Sequence, residues 1–118
     1  MHSEELKKLL CNAALRVAGC TFARLSALGP DPWVEEFGSP DDAQAGDYCQ
    51  IEAELLDRFT EAGAEVLHVA VTASDGRREF GTDVFVYSDG RSRWDRKVYE
   101  FVDGVPVLAG ACADLGIP

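Results

Sequence analysis

The sequence predicts an α+β domain: amino-terminal helices packed on one face of a curved antiparallel β-meander of about four strands. Three observations carry that reading. Apolar residues recur at helical spacing through the first 28 residues, the spacing changes to two from Tyr48 onward, and Asp-Gly dipeptides punctuate the second half. The 118 residues fit one domain spanning 1–118, since domains commonly run to about 100–150 residues. Leu, Val, Ile and Phe supply about a quarter of the chain, above the roughly one-fifth below which a charged chain reads as disordered.

The first helix is expected over residues 4–18. Ser3 stands where a cap would, Glu4 and Glu5 favour the positive end of the helix dipole, and Leu6, Leu9, Leu10, Ala13 and Val17 form one stripe. Thr21 starts a second helix over 21–28, with Phe22, Leu25 and Leu28 continuing the spacing and Gly29-Pro30 stopping it. Residues 30–47 read as a loop-rich connector, in which Ser39-Pro40-Asp41-Asp42 begins a helical turn or two.

Strands are expected near 48–57, 65–73, 79–88 and 91–101. The first competes with a helix, because Ile51, Leu55 and Phe59 also fit a helical stripe. Asp75-Gly76 and Asp89-Gly90 read as two-residue hairpin turns, and Asp103-Gly104 as a third. The tail from Val105 is open between strand, short helix and loop.

Two-residue turns set a register. Val71 then opposes Phe80, Val69 opposes Thr82 and Leu67 opposes Val84, on the apolar face. On the other face His68 opposes Asp83 and Val66 opposes Phe85. The next hairpin pairs Phe85 with Trp94 and Asp83 with Arg96. Aligning Ile51, Ala53 and Leu55 with Val71, Val69 and Leu67 pairs Glu54 with His68 and Leu56 with Val66. Two rows follow: a polar one of Glu54, His68, Asp83 and Arg96, and an apolar one of Leu56, Val66, Phe85 and Trp94, with Tyr87 alongside. The apolar row is a candidate binding surface, covered by the tail and connector, by a ligand, or by a second copy in a homodimer.

Twenty-one acids against eleven bases give a net charge of −10, which argues against a nucleic-acid partner. The absence of an apolar run of about 18 residues argues against a membrane one. From Gly29 to Asp57 the chain carries nine acids and no base, a surface suited to a basic protein partner. Phosphate-loop, dinucleotide, serine-hydrolase and zinc-protease signatures are missing. Cys11, Cys20, Cys49 and Cys112 form no C-x-x-C pair, and Met1-His2-Ser3-Glu4-Glu5 has no signal-peptide pattern. Together these predict free thiols, a cytoplasmic setting, and neither metal nor cofactor.

The stretch Ala18-Gly19-Cys20-Thr21-Phe22-Ala23-Arg24-Leu25, followed by a meander of long strands, resembles the cystatin-like cone of the NTF2-like superfamily. The resemblance implies a curved sheet wrapped on helices, with a cavity or dimer face, in roles from small isomerases and cyclases to binding modules. The expected function is a small acidic binding or protein-interaction domain. The alternative is a small isomerase, cyclase or hydrolase using His68 and Asp83 as an acid–base pair.

Overall fold

A computed structural model describes residues 2–28, 32–38 and 48–117. Among these residues two helices, α1 (Ser3–Ala18) and α2 (Phe22–Ser26), precede seven strands. These are β1 (Trp33–Phe37), β2 (Cys49–Glu61), β3 (Ala64–Ser74), β4 (Glu79–Tyr87), β5 (Ser92–Arg93), β6 (Lys97–Val102) and β7 (Val105–Ala111), followed by a 3₁₀ turn at Cys112–Leu115. The strands form one open antiparallel sheet in the order β1-β2-β3-β4-β6-β7, with β5 sharing the outer edge of β4. The α+β class therefore holds, with seven strands where the spacing suggests four.

Period-3.6 patterning forms α1, which buries Leu6, Leu10, Cys11, Ala13, Ala14 and Val17. The helix starts one residue early, with His2 at the cap position and making no side-chain bond there. Thr21 does cap α2, accepting from the Arg24 amide at 3.2 Å. Against α1 lie Ile51, Ala53, Val69, Val71, Phe80 and Val84, all buried in one core. The strand competing with a helix at residues 48–57 is a strand.

Two segments depart from expectation. The connector contributes β1, which pairs with β2 from Trp33↔Ala53 to Phe37↔Cys49. Its five residues carry no alternation, so pairing with a distant strand decides their structure. Arg16 of α1 clamps β1 by two bonds to Glu35, at 2.7 and 3.0 Å. That contact holds the Glu35 carboxyl below its usual range. The helical turn expected at Ser39–Asp42 lies outside the described residues. The fourth expected strand, 91–101, is split into β5 and β6, because Arg96 takes a left-handed conformation (φ 62°) and bends the chain.

All three expected registers shift. Asp75 does not occupy the centre of a two-residue turn. Its carboxylate accepts from the amides of Arg77 and Arg78 at 2.9 and 2.8 Å, stabilising a four-residue loop closed at Ser74↔Glu79. Val71 thus opposes Thr82, and Val69 opposes Val84. A shift of two keeps each residue on its face. Ser88-Asp89-Gly90 forms a three-residue loop with Gly90 at φ 94°, so Arg93 opposes Phe85. That shift of one moves Trp94 off the expected face. Between β2 and β3, Ala62 and Gly63 make a tight turn with both φ values positive. That turn places Asp57, not Glu54, opposite His68, and a bulge between Leu55 and Asp57 then sets Glu54 opposite Ala70. Only Asp103-Gly104 makes the expected two-residue turn, closing Val102↔Val105.

The tail resolves into β7 and the 3₁₀ turn, and it corrects the cysteine assignment. Cys11 of α1 and Cys112 are joined by a disulfide, with Cα atoms 5.9 Å apart and 101 residues between them in sequence. Lys7 adds a bond from its ammonium to the Ala109 carbonyl at 2.9 Å. Cys20 and Cys49 remain free. Burial, with a smaller contribution from the Asp75 charge, pushes the Cys49 thiol up to about 11.

Thiol titration of the unreduced, denatured chain should find Cys20 and Cys49 reactive and Cys11 and Cys112 not; four reactive thiols would exclude the disulfide. In the native protein near pH 8, alkylation should reach Cys20 and spare Cys49, and reduction should lower stability by about 2–5 kcal/mol.

Asp75→Ala should cost about 1–2 kcal/mol at neutral pH by removing two amide acceptors. Burial alone would raise the Asp75 carboxyl, but the amides of Arg78 and Arg77 outweigh it and hold the group below its usual range. The folded-state value is depressed, so this stability is present above the unfolded pKa of about 4 and is lost as pH falls through the folded value. Denaturation curves of the two proteins should therefore converge near about pH 2. An equal gap at both pH values would contradict the assignment.

Candidate functional site

The face opposite α1 holds the candidate site. His68 on β3 lies directly across from Phe85 on β4, and Arg93 on β5 flanks Phe85 from the other side. The imidazole stacks on the Phe85 ring at 4.6 Å, with 16° between the planes. The Arg93 guanidinium sits 4.5 Å from the same ring. Asp83, two residues before Phe85, meets His68 diagonally, with Nε2 and Oδ1 2.7 Å apart. The His68 side chain is 24% exposed and that of Asp83 is 51% exposed.

These side chains line an open cleft of about 380 Å³, with Trp94, Asp95, Tyr99 and Pro106 on its far side. The link between β5 and β6 leaves Thr82 free of strand partners on that edge of β4. Trp94 fills the gap by donating from Nε1 to the Thr82 hydroxyl at 2.7 Å. The indole is half-buried against the main core and presents its surface, not its N–H, to the cleft. A second hollow of about 250 Å³ shares Asp83, Tyr99 and Pro106 and runs on toward Leu56 and Phe101.

Of the four residues expected in the polar row, His68 and Asp83 come together. Glu54 opposes Ala70, not His68. Arg96 lies over Trp94 at 5.7 Å, and its predicted pairing with Asp83 is replaced by the His68 contact. The apolar row is largely covered from within the chain. Val66 and Tyr87 are buried with Ala64, and Phe59 and Phe85 pack against them. The Tyr87 hydroxyl donates to Glu61 at 2.5 Å, which raises its pKa together with burial. Leu56 stays 52% exposed at the bulge. The larger exposed apolar surface is on the β6–β7 hairpin, at Val102, Val105, Val107 and Leu108.

Arg93, Asp95, Tyr99 and Pro106 are cleft residues that sequence reasoning misses. The signal for Arg93 is Gly90: read as the left-handed residue of a three-residue loop, it places Arg93 across from Phe85. Asp95, Tyr99 and Pro106 reach the site through the bend at Arg96, for which the sequence carries no comparable signal.

Chemically, Asp83 fixes the orientation of the His68 ring and leaves Nδ1 unspent, the arrangement of a positioned proton acceptor. None of the residues lining the cleft is Ser, Thr or Cys, so a side-chain nucleophile of that kind is missing from its walls. Among the described residues no three His, Cys, Asp or Glu side chains group as metal ligands. No helix there is long and apolar enough to cross a membrane.

The geometry predicts the tautomer. With the ring neutral, Nε2 should carry the proton and donate it to Asp83, and Asp83→Ala should remove that preference. Nitrogen–proton correlation spectra of the imidazole distinguish the forms. A dominant Nδ1-protonated ring in the parent would contradict the contact. No protein family, curated protein or solved structure matches the chain.

Proposed function

We propose that the chain is a small-molecule binding module of NTF2-like, cystatin-like architecture, with its site on the outer face of the sheet. One observation carries this reading: the His68–Asp83 pair, at 2.7 Å, lies in an aromatic-walled cleft of about 380 Å³. Ligand clefts of roughly 300–1,000 Å³ combine mostly apolar walls with a few placed polar groups. Helix-then-meander order supports the NTF2-like assignment.

A second reading is a small isomerase, cyclase or hydrolase, favoured by the unspent Nδ1 of His68. There His68 is the general base and Asp83 its positioning residue. A basic protein partner draws less support. Of the acidic segment, residues 29–31 and 39–47 lie outside the described residues, and Glu35 is spent on Arg16. For a homodimer, the β6–β7 hairpin offers the apolar surface that the buried Val66 and Tyr87 do not. The Cys11–Cys112 disulfide favours an oxidising compartment over a cytoplasmic one.

A fragment screen read by chemical-shift changes tests the binding reading. Small planar fragments should perturb His68, Phe85, Trp94 and Tyr99 as one group. His68→Ala should weaken binding about three- to tenfold, the loss of one hydrogen bond. Perturbations confined to other parts of the sheet would defeat the proposal.

A further inference from the structure

We propose that the cleft selects small organic anions, a carboxylate carried on a planar apolar body; this deepens the binding reading above and rests on it. Arg93 lines the cleft with its guanidinium 4.5 Å from the Phe85 ring, and Arg96, outside the lining, lies 5.7 Å from the Trp94 ring. Phe85 and Trp94 both line the cleft. Among the described residues neither arginine forms an ion pair, although the chain holds 21 acids to 11 bases. Arg93 has the Tyr87 hydroxyl beside it, and the five donors of a guanidinium leave others for two-point recognition of a carboxylate.

Each acid of the cleft has one oxygen engaged. Asp83 is bound to His68 at 2.7 Å, and Asp95 accepts from the Lys97 amide at 2.9 Å. An organic cation would compete with the chain's own guanidinium groups for the ring faces and with His68 for Asp83. An anion meets no such competitor. The apolar body is accommodated by the Trp94 surface, the Tyr99 ring and Pro106. With a net charge of −10 the molecule as a whole repels anions, so binding depends on these local donors and weakens with their removal.

The test titrates the full chain with benzoate, benzyl alcohol and benzylamine, three probes sharing one ring. Benzoate should shift the His68 and Trp94 resonances and bind about tenfold more tightly than benzyl alcohol, the worth of a charge-assisted bond. Arg93→Gln should abolish that advantage, and Arg93→Lys should recover part of it. The benzyl alcohol measurement also shows that each variant keeps its cleft. If benzyl alcohol or benzylamine binds the cleft as tightly as benzoate, the anion preference is overturned and the cleft reading stands. If none of the three shifts cleft resonances, both fall together.

Discussion

Asp75 turns its carboxylate back onto the amides of Arg77 and Arg78, and the register of the two central strands follows from that contact. With a two-residue turn His68 would sit directly across from Asp83. The four-residue loop moves β4 by two positions and brings Phe85 opposite His68 instead. The imidazole therefore gains an aromatic ring to stack on while keeping the carboxylate as a diagonal neighbour. Cross-strand diagonals lie within reach of long side chains. A buried turn carboxylate thus orders a site on the opposite face of the sheet, far along the strands from the turn itself.

The second organising contact joins the ends of the chain. Cys11 lies in the middle of α1 and Cys112 follows the last strand, so their bond closes nearly the whole chain into a ring. The bond fixes the 3₁₀ turn against α1, and β7 is held from that side as well as through β6. This matters for the cleft, because Tyr99 and Pro106 come from that hairpin. One wall belongs to the central strands and the other to an element anchored by a cross-link.

The charge pattern gains meaning from the same geometry. The chain is acidic overall, yet Arg91, Arg93, Arg96 and Lys97 cluster near the β4 edge. Arg91 is paired with Asp89 and lies over Tyr87 at 4.6 Å, a self-contained surface contact. Arg93 instead lines the cleft, over the Phe85 ring, and this difference separates it from the ordinary edge arginines. Edge-strand charges also discourage unwanted strand pairing, so the cluster serves the fold whether or not a ligand binds.

The sequence by itself determined the fold class, the helix α1, the strands β3 and β4 and the face their core residues take. Those features rest on local periodicity, which a register shift of two leaves intact: Val69, Val71 and Val84 are buried in either alignment. It also determined that His68 and Asp83 share a face, since parity along β3 and β4 is local. Tertiary structure alone decided which partners they meet. Loop length hung on an Asp75 side-chain bond, on Gly90 in a left-handed conformation and on Ala62 at positive φ, an uncommon choice for a residue with a Cβ. One added residue at β4–β5 exchanged Trp94 for Arg93, and the Ala62-Gly63 turn put Asp57 in place of Glu54 opposite His68. The strand β1 and the Cys11–Cys112 bond were decided the same way. Each joins segments distant along the chain, where the energy lies in a contact and not in the spacing of neighbouring residues.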